Sequence, residues 1–281
     1  MKKIGLLLLL ILSGFSSFSQ GMTEIKAITK TGFYTNPLVS PTGKFALLTG
    51  EHFHGVYLLD LLAGKIIAVS KQEGSGYAYS WAQDGQSFYY KERKEGDYVI
   101  NSYVMKYDME KGISSKTDLN HNYLPSYNGN DKGIVVYTNI ATLKIEAIDL
   151  NTNKKWIVTN GEGQFYNAIL SNDGTKVAVH NGADIYVYPI KGSVEGKKIG
   201  TGLATAWSND NKYLLGFLDE SIDGHSVSNS ELYLFDTEKG ITKKITSTEK
   251  NFEMYPVFYG EDNLLFADDK TGILFTSKIK F

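Results

Sequence analysis

Trp207-Ser208-Asn209-Asp210-Asn211-Lys212-Tyr213-Leu214-Leu215-Gly216-Phe217, followed by Leu232-Tyr233-Leu234-Phe235-Asp236, Gly240 and Lys243-Lys244-Ile245-Thr246, is the stretch that decides the fold. An aromatic approach meets a short polar turn, and an apolar strand leaves it. The turn is built from residues that hydrogen-bond their own backbone and tolerate positive φ. A second apolar strand then ends in Asp236, four residues before Gly240, which is hairpin chemistry again. The lysine-bearing segment that follows has the composition of an exposed edge strand protected from pairing with another chain.

The same order recurs along the chain. Polar turns lie at Ser40–Gly43, Ala82–Gly85, Asn128–Asp131, Ser171–Gly174, Ser208–Asn211 and Tyr259–Asp262. Apolar strands follow them at Phe45–Leu48, Ser87–Tyr90, Ile134–Tyr137, Lys176–Val179, Tyr213–Phe217 and Leu264–Phe266. Third strands are predicted at Val56–Leu59, Tyr103–Tyr107, Lys144–Ile148, Ile185–Tyr188, Leu232–Phe235 and Ile273–Ser277. Four of these end in the same Asp: Asp60 before Gly64, Asp108 before Gly112, Asp149 before Asn153 and Asp236 before Gly240. Outer strands complete five units at Lys65–Val69, Ser114–Leu119, Lys155–Thr159, Lys197–Gly200 and Lys243–Thr246.

Four strands in about 42 residues, six times over, predict an all-β, six-bladed β-propeller with four-stranded antiparallel blades. The middle strands are unbroken apolar runs, as expected where blades stack on both faces. A β-sandwich would instead show alternation and no such period. The sixth unit holds only three strands, and Glu24–Lys30 resembles the missing outer one. That N-terminal strand is predicted to complete the last blade and close the ring.

Composition sets the outer bounds. Of 281 residues, 42% are hydrophobic and 21% charged, a globular balance. Cys is absent, which excludes disulfides, thiolate metal sites and a lipid anchor on cysteine. A formal charge of −2 shows neither a nucleic-acid footprint nor a polybasic membrane patch. Lys2 and Lys3, the apolar run Ile4–Leu12 and the small residues through Ser19 follow the order of a secretory signal over residues 1–19. The alternative, an uncleaved anchor, is disfavoured because a spanning helix needs about 20 apolar residues. The expected product is a single propeller domain over residues 20–281, not membrane-embedded, periplasmic or secreted.

The repeat resembles the WD-like propeller repeat of TolB-type periplasmic proteins, which is shared by the propellers of prolyl-oligopeptidase-like peptidases. The matching residues are Pro37–Gly43 with Tyr57–Asp60, Ser171–Gly174 with Tyr186–Tyr188, and Trp207–Asp210 with Tyr233–Asp236. The resemblance covers nearly the whole expected mature chain and specifies fold more than activity. It implies a scaffold for contacts, without the separate N-terminal domain of TolB-like proteins and without a peptidase domain.

In such a ring the aromatic approaches gather on one face: Phe33, Tyr34, Tyr77, Tyr79, Tyr123, Phe165, Tyr166 and Tyr255, with Phe252 nearby. Aromatics on a funnel stack on sugars or bury against a partner loop; the alternative is that they pack between blades. The five histidines, His52, His54, His121, His180 and His225, map to the same face. His52 and His54 lie on one side of a segment read as extended. With His121 they are weak candidates for a metal site; exposed scaffold histidines are the plainer reading. The insertion Leu218–Ser230 carries Asp219, Glu220, Asp223 and His225 and reads as a solvated acidic loop. Trp81 and Trp207 occupy equivalent positions and read as packing residues. No phosphate loop, dinucleotide fingerprint or His-Glu-x-x-His motif occurs, and Gly224–Ser228 lacks the final glycine of a nucleophile elbow.

These features favour a non-enzymatic exported scaffold, without cofactor, whose loop-rich face contacts another cell-envelope protein or a peptidoglycan or glycan ligand. The competing reading is a metal-dependent carbohydrate lyase or hydrolase using histidines on that face.

Overall fold

The computed structural model describes residues 21–93, 102–119, 124, 133–192, 194–248 and 251–280. The strands form six sheets arranged as the blades of a propeller. β1 is Met22–Ala27. The first blade holds β2 (Thr35–Val39), β3 (Phe45–Thr49), β4 (Val56–Asp60) and β5 (Ile66–Ser70). The second holds β6 (Tyr79–Trp81), β7 (Ser87–Arg93), β8 (Ser102–Asp108) and β9 (Ile113–Lys116). The third has β10 (Ile134–Asn139), β11 (Lys144–Asp149) and β12 (Lys154–Ile157) among the described residues. The fourth holds β13 (Phe165–Leu170), β14 (Lys176–Asn181), β15 (Asp184–Pro189) and β16 (Lys197–Thr201). In the fifth are β17 (Leu203–Trp207), β18 (Tyr213–Ser221), β19 (Val227–Asp236) and β20 (Ile241–Lys244). The sixth comprises β21 (Glu253–Tyr259), β22 (Asn263–Asp268) and β23 (Ile273–Ile279), completed by β1 in the order β1-β23-β22-β21.

Burial follows the apolar pattern. In β3 Ala46, Leu47, Leu48 and Thr49 are all buried, and Val177–His180 in β14 and Leu264–Asp268 in β22 repeat this. Consecutive residues of a strand point to opposite faces, so both faces of these strands are covered by neighbouring blades. The outer strand β20 is exposed along its length.

The turns work as their residues imply. Ser171 Oγ and Ser208 Oγ donate to Asp173 Oδ1 and Asp210 Oδ1 (2.6 and 2.7 Å) and accept from the backbone N–H groups of Lys176 and Tyr213. On the outer hairpins Asp60 Oδ1 accepts from Leu62 N–H and Ala63 N–H, and Asp236 Oδ1 from Glu238 N–H and Lys239 N–H. Gly64 and Gly240 then take φ of 65° and 71°. A hydrogen bond from the residue three along, through Lys111 or Lys239 N–H or the Thr152 hydroxyl, leads the interactions that hold Asp108, Asp236 and Asp149 below the ordinary carboxylate range.

Ring closure is shown, with a shifted boundary. The strand read as Glu24–Lys30 is Met22–Ala27, antiparallel to β23 with Met22 opposite Ile279 and Ala27 opposite Phe275. The shift has a local cause: β1 bulges between Thr23 and Lys26, with Glu24 at φ 55°. Beyond it Ile28 N–H still reaches Leu274 O (2.9 Å), and the Thr29 hydroxyl, not its backbone, accepts Leu274 N–H (2.9 Å). Met22 is buried against Ile245 and Ile279, tying β1 to the core between the fifth and sixth blades.

Candidate functional site

The connections between second and third strands and those between blades emerge on one face. Below it the inner strands surround a central cavity, and their bulges give that cavity its lining. β2 shifts register between Thr35 and Leu38, β13 between Tyr166 and Ile169, β17 between Ala204 and Ala206, and β21 between Met254 and Val257. At three of these bulges Asn36, Asn167 and Tyr255 take φ of 51°, 49° and 53°. Asn tolerates that region because its short side chain bonds locally; for Tyr it is a strained conformation that surrounding structure must enforce. The bulges border a cavity of about 280 Å³ lined by Asn36, Tyr77, Tyr79, Asn167, Thr205 and Tyr255.

Hydrogen bonds between blades fix this wall. The Tyr79 hydroxyl donates to Asn36 O, joining the second blade to the first. Trp81 Nε1–H donates to Leu38 O (3.0 Å) and Trp207 Nε1–H to Ile169 O (2.9 Å). The two tryptophans are thus packed, as read, and each also bonds the inner strand of the preceding blade. Asn167 Nδ2 donates to Ala204 O (3.0 Å), Thr205 Oγ1 to Pro256 O, and Thr35 Oγ1 to Asp269 Oδ1 (3.1 Å).

His180 belongs to the same set. It is fully buried, and its Nε2 accepts the N–H of Ala204 at 3.0 Å, which puts the ring proton on Nδ1. Burial pulls its pKa from 6.5 down to about 4. The ring is therefore a neutral link between the fourth and fifth blades, and Tyr166 stacks on it at 5.4 Å.

The predicted aromatics separate into three groups. Tyr77, Tyr79 and Tyr255 border the cavity. Burial pushes the Tyr79 phenol up, and that of Tyr255 up to about 12, with Asp269 and Asp219 adding to the latter. Tyr34 packs edge-on against Tyr57 (5.3 Å), Phe33 lies where a Cβ on Gly272 would sit, and Phe165 is core, edge-on to Tyr188. Tyr166 is partly exposed, with its hydroxyl on Gly182 O. Tyr123 and His121 lie outside the described residues.

Sequence reasoning missed Asn36, Asn167, Thr205 and Phe53. The two asparagines each stand four residues before the turn serine, Ser40 or Ser171, and that shared offset was the available signal. Phe53 stacks on Tyr77 with ring centroids 4.4 Å apart and planes at 23°, and Tyr77 remains 62% exposed at the rim.

The histidine segment is not extended. Glu51–Phe53 form a 3₁₀ turn with His52 and Phe53 at φ 54° and 59°, because the short connection from Gly50 to Gly55 must reverse direction. The His52 and His54 rings lie 6.5 Å apart, beside Glu51 (3.7 Å) and Glu73 (4.0 Å) respectively. Among the described residues no group of three or more His, Asp or Glu side chains converges as a metal-ligand set.

Leu218–Ser230 is also not a loop: β18 and β19 continue as a hairpin, pairing Asp219 with Ser230 and Glu220 with Asn229. At its tip Asp223 Oδ1 accepts from Ser226 N–H (2.8 Å), His225 N–H (2.9 Å) and the Ser221 hydroxyl (3.1 Å). These bonds hold the carboxyl down to about 2, and the adjacent Ile222 is 94% exposed. A second cavity, about 490 Å³, opens on the opposite face among the inner turns. There Asn172 and Asn209 bond backbone of the next blade, so the turns hold the ring together. Among the described residues no helix is long and apolar enough to cross a membrane.

No protein-family model and no curated protein sequence matches the chain. Solved structures do. A TolB-type protein of Agrobacterium tumefaciens aligns with TM-score 0.61 and 15% identity, over 94% of this chain and 99% of that one. TolB of Acinetobacter baumannii aligns with TM-score 0.58 and 15% identity over 80% of this chain, which spans 57% of the length of that protein. An oligogalacturonate lyase of Vibrio parahaemolyticus aligns with TM-score 0.53 and 13% identity, covering 89% and 79% of the two chains. Likeness at these identities is likeness of fold, and what it shows is a six-bladed propeller of the shape that TolB adopts.

Proposed function

We propose that this chain is an exported, non-enzymatic scaffold that docks another protein of the cell envelope on the face bearing the central cavity. The carrying observation is the Phe53–Tyr77 stack, which presents aromatic surface at the rim between the first and second blades. Exposed aromatics on a rigid frame are the usual anchors of protein interfaces. The β18–β19 hairpin displays Ile222 on the same face, held by the Asp223 turn. Export rests on the order of charge, apolar run and small residues in the first nineteen positions.

The test is capture of envelope proteins by the purified chain, wild type against Phe53→Ala/Tyr77→Ala. Loss of an anchor pair worth about 2 kcal/mol weakens capture roughly 30-fold. The thermal midpoint is expected to hold, because Tyr77 is exposed. Equal capture by both proteins refutes the reading. Retention of soluble peptidoglycan fragments in place of protein redirects it to a glycan ligand.

A further inference from the structure

The segment joining β20 to β21 carries two buried carboxyl groups that closure and docking do not use. Glu231, on β19, is 4% exposed and Glu253, opening β21, is 2% exposed. Both clasp one residue of the connector: Thr248 N–H donates to Glu231 Oε1 (3.1 Å) and the Thr248 hydroxyl to Glu253 Oε1 (2.8 Å). The second oxygen of each, Glu231 Oε2 and Glu253 Oε2, is buried and has no donor among the described residues. Buried acceptors of this kind are costly, more so as anions.

We propose that Glu231 and Glu253 hold one proton between them and form a pH-sensitive latch on the connector between the fifth and sixth blades. One O–H is the smallest repair for two orphan acceptors, since it converts one carboxyl into a donor and leaves the other as its acceptor. The charges that face the pair fit a single proton. Lys244 Nζ lies 3.1 Å from Glu231 Oε1 and balances that carboxylate. Asp268, packed from β22, is satisfied as an anion by Phe252 N–H (2.8 Å), Lys270 N–H (3.2 Å) and the Thr271 hydroxyl. Glu253 is left without a cation and is where the proton rests; burial raises its pKa to about 7. Glu249 and Lys250 lie outside the described residues.

The latch acts on the middle of the connector. Thr246 anchors one end through Leu232 N–H (2.8 Å), and Phe252 anchors the other through Asp268. Between them, among the described residues, Thr248 makes the bonds to the blades. Below neutrality the shared proton keeps Thr248 clasped. Above it two buried carboxylates face one another and the connector releases on the docking face. The inference is independent of the partner.

Amide hydrogen exchange of Thr248, with Leu232 as reference, tests this between about pH 5.5 and pH 8.5. After correction for intrinsic exchange, protection in the wild type is expected to fall about 30-fold at the upper end, 1.5 pH units above the midpoint. In Glu253→Gln, whose amide donates permanently, it stays level. A carboxyl resonance of wild-type Glu253 followed by carbon NMR serves if that variant fails to fold, and a midpoint near 7 supports the latch. Level wild-type protection, a carboxyl midpoint near 4.5, or recovery of protection on adding millimolar Ca²⁺ at the upper pH overturns it; the last outcome assigns the pair to a cation.

Discussion

His180 allows the packing argument to be measured. Its pKa falls from 6.5 to about 4 on folding, so the unfolded chain binds the proton more readily than the folded one. The link therefore contributes fully above about pH 6.5 and is lost as pH falls through about 4. A shift of that size corresponds to about 3 kcal/mol over the interval, at 1.36 kcal/mol per pH unit. His180→Leu removes the acceptor of Ala204 N–H and costs about 1–3 kcal/mol at neutral pH, or roughly 2–10 °C in Tm for a chain of this size. Urea unfolding of the wild type and His180→Leu across a pH series is the assay. Other groups titrate in both proteins, so the difference between the curves isolates His180. The wild type starts more stable and loses its advantage between about pH 6.5 and pH 4. Parallel curves would refute the assignment of a neutral, buried link between the fourth and fifth blades.

Met22→Ala, which empties a buried position on the closing strand, is expected to cost about 2–5 kcal/mol and to speed proteolysis at the β1–β23 seam. Gly272→Ala combines a φ of 70° with a Cβ 2.3 Å from the Phe33 Cα, so it should lower Tm more than any surface substitution; an unchanged melt would contradict the seam geometry between the sixth and first blades. Asp223→Ala removes the acceptor that orders the hairpin tip. Exchange of the His225 and Ser226 amides should accelerate while Tm holds, and tip amides as protected as in the wild type would count against a turn organised by that carboxylate.

The architecture was legible because each unit carries its own instructions. The offset from Asp60 to Gly64 or from Asp236 to Gly240 sets a hairpin locally, and the apolar runs need no distant partner to be recognised. The site was less legible because it depends on direction. Tyr79 and Tyr77 stand two residues apart, yet one closes a bond to the first blade and the other faces solvent. The inner-strand bulges decide which side chains reach the cavity, and the positive φ of Tyr255 has no residue signature, being imposed from outside. The polar run Ser226–Ser230 read as loop, although β19 begins at Val227. His180 read as surface, although its neighbours are supplied by a strand more than twenty residues away.

The pairing of β1 with β23 has a consequence for how the protein is made. The Thr29–Leu274 bond spans 245 residues, so no clasp exists until every intervening blade has been synthesised. Such long-range pairing folds slowly and leaves strand edges open in the meantime. A polypeptide passing through a membrane amino end first would present β1 as an orphan, and β1 is furnished for that wait: Glu24 and Lys26 stud its outward surface and Met22 is its one buried side chain. The emerging chain thus has reason to meet a holdase before it meets its own far end.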